Sequence, residues 1–518
     1  MGAFAADPGE FHLTILHTND IHAHDEPFFE RGKDVGGVAR IATLIQQFRK
    51  EDPNLLVVDA GDIFQGTSFF KFYHGEVEVE MLNRAGYDIY TIGNHEFDDG
   101  PTNLANQLKN AKFTVINSNI DATANPELAS VFKPSIVKTI NGQKVGFVGA
   151  IVPNLTEVSL TTKGVGVKAS GADWMKPIND EVAKLKSEGV DKIILVTHVG
   201  VELDKELAKN PDIDAIVGGH SHTRLNKAIV VPHDNGTSAI VVQTGSYGRT
   251  LGKLDLAFDA KGNLDVPDTH YKLIDIDKSI PQEPGLQAYL KEKSKPFEAL
   301  RNQVDGIADG DFDNGFRSYY GDSALGDLIT DALAAGGKDQ GATISVENRG
   351  GIRARIDRGM VTEEKVQEVL PFENKLVIAT VPGDEIMKML ENSVSGASGG
   401  RFLDVHGIKF AYNGDKPVGE RIVWAYATDT TGKWGKVSAD KKYRMAINDY
   451  SFGGGEGYDF SKATDVVKTD KRLSYYLTQY LLNMKHVKPH WGGRIVPMGQ
   501  NVRKRRAAAM KEQRAHHH

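Results

Sequence analysis

An apolar run from Phe11 to Leu16 gives way to the polar stretch Thr18-Asn19-Asp20-Ile21-His22, and the same succession returns four more times in the first half of the chain. Gly36 to Lys50 places Ile41, Leu44, Ile45 and Phe48 on one helical face and feeds a second apolar run, Leu55 to Val58, which ends at Asp59-Ala60-Gly61-Asp62. Ile89 to Ile92 leads into Gly93-Asn94-His95-Glu96, Ile193 to Val196 into Thr197-His198, and Ala215 to Val217 into Gly218-Gly219-His220-Ser221-His222. Short apolar runs alternating with amphipathic helices predict an α/β fold in which five strand ends deliver Asp, His or Asn side chains. Glycines stand where the backbone at those ends must pack tightly.

The pattern changes after Lys272-Leu273-Ile274. Pro281-Gln282-Glu283-Pro284-Gly285 is a breaker cluster, and Leu286 to Val304 reads as a polar helix with few apolar anchors, the profile of a linker. The division expected is therefore 11–278, a linker helix over 279–304, a second domain over 305–500 and a tail over 501–518. In the second domain Leu325, Leu328, Ile329, Ala332 and Leu333 have helical spacing within Ser323 to Ala335, while Lys375 to Val381 and Ile408 to Tyr412 read as strands. That predicts another α/β domain, to which the apolar pattern assigns no chemistry.

Composition narrows the field. A chain of 518 residues has room for two or more buried domains, and 40% hydrophobic with 25% charged residues is ordinary for a soluble globular protein. The net charge of -7 and pI near 6.2 argue against a nucleic-acid polymer or an anionic membrane as partner, since both reward a basic surface. No cysteine is present, which removes disulfides, thiolate metal sites and a cysteine nucleophile, and fits an oxidising compartment. Ala3-Phe4-Ala5-Ala6-Asp7 has the form of the end of a removed signal peptide, so a periplasmic or secreted location is expected. No run reaches the roughly 20 apolar residues that span a bilayer. Arg503 to Arg506 read as a solvated tail and His516 to His518 as the start of an affinity tag.

A lone histidine after a strand is more often a core residue than a ligand, but five donors in one structural position form a set. Oxygen and nitrogen donors without sulfur suit Mn, Zn, Fe or Co, and their number is enough for two ions. The ordered set Asp20-x-His22, Gly61-Asp62, Gly93-Asn94-His95-Glu96, His198 and Gly219-His220-Ser221-His222 resembles the calcineurin-like metallophosphatase signature. Leu16 to His22 and Gly93 to Asp98 in particular resemble the 5'-nucleotidase family, over about residues 11 to 497.

The resemblance implies a four-layer αββα sandwich joined by a linker helix to a second α/β domain that recognises substrate. It implies two divalent ions (Mn, Zn or Co), one on Asp20, His22, Asp62 and His222, the other on Asp62, Asn94, His198 and His220, with Asp62 bridging. His95 would face the phosphate without binding metal, oriented and charged by Asp98, while His17 and His24 would have structural or supporting roles. In the second domain Asn348-Arg349-Gly350-Gly351-Ile352-Arg353 is similar to the family's Asn-x-Gly-Gly-Ile-Arg loop, so Arg353 would bind phosphate and Asn348 the nucleotide. Arg349 replaces the usual glycine of that loop. Phe372 and Tyr450 match the rings that clamp the base, Glu456 stands where an Asp usually contacts the sugar, and Arg317 substitutes for the phosphate arginines missing before Gly326.

The activity implied is hydrolysis of nucleoside 5'-monophosphates. Tyr450 and Glu456 depart from the usual 5'-nucleotidase residues, and this keeps open a 2',3'-cyclic-nucleotide phosphodiesterase/3'-nucleotidase or a UDP-sugar pyrophosphatase. A nucleotide-binding surface protein without turnover is the alternative of another class, opposed by the intact ligand set and the His95-Asp98 pair.

Overall fold

Every second residue of the strand Phe11–Thr18 from Phe11 to Ile15 enters one core, together with Leu56, Val58 and Ile89 of two parallel neighbours. Facing them in that core are Val145, Phe147, Ile194, Val196, Ala215, Val217, Ile240 and Val242, so two sheets are packed face to face. The computed structural model describes residues 10–162, 165–167, 173–313, 321–396 and 399–500, which leaves Arg317 outside the described residues.

One sheet runs in the order His270–Asp275, Thr250–Phe258, Phe11–Thr18, Leu56–Asp59, Ile89–Thr91, Thr114–Ile116. The other runs Ile229–Pro232, Ser238–Val242, Ala215–Gly218, Lys192–His198, Gln143–Ile151, Ser135–Ile140. In each, the central strands are parallel, and antiparallel pairing is confined to the flanks. With both inner faces occupied, crossover helices can lie only outside. Lys176–Ser187 accordingly buries Ile178, Val182 and Leu185 against Val148, Ile193, Leu195 and Ile216, and Val38–Glu51 buries Val38, Ala39, Ile41, Ala42 and Ile45. The result is the αββα layering that the resemblance implies.

The chain divides into two compact units, Met1–Pro296 and Phe297–His518. The single polar helix expected over Leu286 to Val304 is not formed. The structure has a helix over Pro284–Lys293, a 3₁₀ turn over Lys295–Phe297 and a short helix over Glu298–Asn302. Pro296 lacks the amide that would continue the helical bonding, and its ring crowds the preceding turn. Pro284–Lys293 also buries Leu286 and Leu290, anchors too few to show as a periodic face.

In the second unit the helix Ala324–Gly337 begins at Ser323, whose hydroxyl caps Gly326 N–H at 2.9 Å. It packs beside a five-stranded sheet ordered Leu403–His406, Ile344–Asn348, Lys442–Asn448, Lys375–Pro382, Thr464–Arg472. A four-stranded sheet, Trp434–Lys436, Ile422–Thr428, Ile408–Asn413, Ile495–Met498, shares the core on the other side through Phe410, Ala425, Val437 and Ile495. Gly359–Thr362, Val304–Ala308 and His486–Val487 form a third, small sheet.

Candidate metal centre

Parallel strands bring their carboxyl ends to one edge of a sheet, and open α/β sheets place ligands there. Phe11–Thr18, Leu56–Asp59 and Ile89–Thr91 do this in the first sheet, Lys192–His198 and Ala215–Gly218 in the second. Those edges meet. Asp20, His22 and His222 converge in one group of potential ligand atoms and Asp62, His198 and His220 in another. His222 Nε2 stands 3.2 Å from Asp20 Oδ1 and 3.0 Å from His22 Nε2, across 200 residues of sequence. Asn94 joins the second group, with Oδ1 2.9 Å from His220 Nδ1.

The turns that aim these side chains are strained. Asp20, His22, Asp62, His220 and His222 have φ of 52°, 51°, 58°, 74° and 51°, a left-handed region that non-glycine residues seldom occupy. Two glycines permit the crowding. A Cβ on Gly61, itself at φ 88°, would lie 2.7 Å from Gly93 N, and one on Gly219 would lie 2.6 Å from Ala60 O and 2.8 Å from His198 Nδ1.

Hydrogen bonds set the ring tautomers. His22 Nδ1–H donates to Phe64 O at 3.1 Å and His198 Nδ1–H to Ala60 O at 2.7 Å, which turns a lone pair at each Nε2 toward the carboxylates. His198 Nε2 is buried and has no hydrogen-bond partner among the described residues, although Asp62 Oδ2 stands 3.0 Å away. The electrostatics ask for positive charge at the same place. Burial opposes a charged ring at His198, yet the carboxylates of Asp62 and Asp20 outweigh it and push its pKa up to about 10. Burial would likewise raise Asp62, but the rings of His198, His95 and His22 hold it well below the usual carboxylate range. An orphaned imidazole nitrogen among buried carboxylates fits a divalent cation, which can supply the charge with the ring neutral.

His95 belongs to neither group. Its Nδ1 lies 2.8 Å from Asp98 Oδ2, and Gln65 Nε2 donates to that same oxygen at 3.0 Å. The His95 backbone N–H donates to Asp62 Oδ1 at 2.9 Å, linking the turn to the carboxylate. His24 Nδ1–H donates to His22 O at 2.8 Å, whereas His17 is fully buried beside Tyr271 and pushed down to about 3 by burial.

Three contributors lie outside the expected ligand set. Glu96 accepts four backbone amides in the turns that carry Asp62 and Asn94. Asn19 Nδ2 donates to Asp20 Oδ2 at 2.6 Å, and its Oδ1 accepts from Thr244 N at 2.8 Å. Tyr247, at φ 63°, donates its N–H to Asp20 O at 2.7 Å, sets its ring 5.7 Å from those of His22 and His222, and stacks on His24 at 4.3 Å. The signal for it was a sixth apolar run, Ile240 to Val242, leading into Gly245-Ser246-Tyr247-Gly248.

In the second unit, Asn348, Arg353, Phe372, Tyr450 and Glu456 fall into local groups. Asn348 is buried, accepting from Asn448 Nδ2 at 2.9 Å and donating to Gly400 O at 3.1 Å. The Arg353 guanidinium lies 5.9 Å over the Phe372 ring. Tyr450 lies over Gly455, where a Cβ would meet its ring at 2.5 Å, and Glu456, at φ 57°, stands beside Gly400 and 3.9 Å from Arg401 Nε. Arg349 turns inward, paired in bidentate fashion with buried Asp404 at 3.0 and 2.8 Å and stacked 4.4 Å over Phe402.

Residues 13–224 match the calcineurin-like phosphoesterase family and residues 305–463 the 5'-nucleotidase C-terminal domain. The 5'-nucleotidase of Mus musculus is 32% identical over 525 residues, covering 93% of this chain and 90% of that protein. The trifunctional nucleotide phosphoesterase protein YfkN of Bacillus subtilis is 32% identical over 495 residues, but the chain spans only 33% of its length. The crystal structure of the 5'-nucleotidase precursor from Thermus thermophilus superposes with a TM-score of 0.89 at 34% identity, over 94% of this chain and 99% of that one. Two groups of potential metal ligands at the strand ends, and a sequence alike from end to end, place this chain in the 5'-nucleotidase family of metal-dependent hydrolases.

Proposed function

We propose that this chain is a two-metal nucleotide phosphohydrolase that removes the 5'-phosphate from nucleoside monophosphates. The observation that carries the reading is Asp62 Oδ2 standing 3.8 Å from His22 Nε2 and 3.0 Å from His198 Nε2, between the two groups of ligands. Asp20, His22, Asp62 and His222 would hold one divalent ion and Asp62, Asn94, His198 and His220 the other, and the donors suit Mn, Zn or Co. Ions at those positions would activate water and polarise the phosphoryl oxygens.

The chain's own residues supply the rest. Asp98 holds the Nδ1 proton of His95, at 2.8 Å, and favours the cationic ring, so the proton on Nε2 can offset charge on the phosphoryl oxygens and pass to the leaving 5'-oxygen. Gln65 fixes Asp98 in that orientation. Arg353 would take phosphate charge, Asn348 a polar group of the nucleotide, Phe372 and Tyr450 the base by stacking, and Glu456 the sugar. Carrying no cysteine in 518 residues supports action outside the cytoplasm, in a periplasm or secreted.

Hydrolysis of AMP, UDP-glucose and 2',3'-cyclic AMP by the purified protein, with Asp62→Ala as control, tests the substrate. AMP should have the largest kcat/KM and Asp62→Ala should abolish turnover of all three. Preference for the cyclic or sugar nucleotide would transfer the assignment to that activity.

A further inference from the structure

The outer face of the four-stranded sheet in the second unit carries side chains for which nucleotide hydrolysis has no use. Lys409 is in register with Tyr426, which on its other side is in register with Lys436, and Thr428 pairs with Trp434. Cross-strand partners share a face, as do residues two apart on one strand, so Lys409, Trp424, Tyr426, Trp434 and Lys436 all stand together. Phe410, Ala425 and Val437, the residues next after Lys409, Trp424 and Lys436, point into the core. Tyr426 is 45% and Trp434 48% exposed, more than a core-forming sheet face needs. Lys409, Trp424, Tyr426 and Trp434 line an open hollow of about 550 Å³. Asn348, Arg353, Phe372, Tyr450 and Glu456 lie on other elements.

We propose that this aromatic face is a binding site for an acidic glycan. The C–H face of a pyranose ring carries weakly positive hydrogens, and the faces of indole and phenol rings are negative, so sugar rings stack on them. Trp424 and Tyr426 present such rings 5.9 Å apart at 65°, walls of a hollow with room for a sugar unit and fixed by strand backbone. The Lys409 ammonium sits 5.8 Å from the Trp434 ring, and Lys436 flanks Tyr426 from the opposite side. The two ammoniums offer charge complementarity to a carboxylate or sulfate on the sugar that the rings hold.

The lysines also argue against other occupants. Lysine is depleted from the centres of protein interfaces, yet here it brackets the central tyrosine. Insertion into a bilayer would strip water from the Lys409 ammonium, which lines the hollow with the rings.

The test is calorimetric titration of the full chain with a galacturonate hexasaccharide, and with a neutral glucose hexasaccharide as comparison. The acidic oligosaccharide should bind, Tyr426→Ala and Trp434→Ala should each weaken it about tenfold or more, and Lys409→Gln with Lys436→Gln should remove the preference over the neutral sugar. Turnover of AMP should stay at the wild-type value in every variant, which also shows that they fold. The proposal is overturned if the wild type binds neither oligosaccharide at millimolar concentration, or if the ring variants bind as the wild type does. It is equally overturned if those variants instead abolish sedimentation with vesicles containing phosphatidylserine, or dissociate a dimer seen by analytical ultracentrifugation.

Discussion

Glu96 is fully buried and divides its carboxylate among four backbone amides: Oε2 accepts from Asp62 at 3.0 Å and Gly93 at 2.6 Å, Oε1 from Ile63 at 2.8 Å and Phe64 at 3.1 Å. Glu96→Gln keeps the shape but turns an amide N–H₂ toward two of those donors. Burial, with the nearby Asp62 carboxylate, pushes Glu96 up to about 7, so the comparison belongs at pH 8, where the group is charged; hydrogen bonds to a charged group contribute about 1.5–3 kcal/mol each, and losing two costs about 3–6 kcal/mol before the stranded amides are counted. At about 1.6 °C per kcal/mol for a folding unit the size of Met1–Pro296, the melting transition should fall by at least about 5 °C. The lost bonds belong to the turn that carries Asp62, so affinity for divalent ions should fall along with stability. Scanning calorimetry in chelator measures the first effect, and Mn titration of the metal-free variant well below its transition measures the second. A variant that melts within about 2 °C of wild type and binds Mn as tightly would show that Glu96 does not organise the site.

Four further outcomes are expected. Chelator dialysis should abolish turnover and Mn, Co or Zn should restore it with two ions per chain; full activity with one bound ion would defeat the two-ion reading. His95→Asn should lower kcat by about 10²–10⁴ with metal content unchanged, whereas loss of metal would make His95 a ligand. Phe372→Ala and Tyr450→Ala should each raise KM for AMP by the loss of about 1–3 kcal/mol of stacking, and leave an aryl phosphate untouched; equal effects on both substrates would remove the base from their role. Burial pushes Glu347 up to about 8, with Asn448 only partly opposing it, so the folded state keeps a proton that the unfolded chain has lost. Stability from this group is therefore present below the ordinary Glu range and lost as pH rises toward 8, and Glu347→Gln should raise the melting temperature more at pH 8 than at pH 5; the same gain at both would contradict a protonated Glu347.

By itself the sequence determined the two α/β units and which polar side chains follow the strand ends of the first. Burial of a strand leaves an apolar run, and the residue after the run is placed by a local turn, so Asp20, His22, Asp62, Asn94, His198, His220 and His222 could be read from short stretches. What needed the tertiary structure was direction and distance. Whether Arg349 faces solvent or Asp404 depends on a partner 55 residues away, and the meeting of His22 with His222 depends on how two sheets stack. Tyr247 and Glu96 matter through backbone groups they touch, and a backbone amide has no signature in the order of side chains. The aromatic face escaped for a related reason. Trp424 and Tyr426 alternate as residues of any half-buried strand do, and only strand register brings Trp434 and the two lysines beside them. Hydrophobic periodicity is a property of a few neighbouring residues, whereas a site is made by long-range packing that closes loops of tens to hundreds of residues.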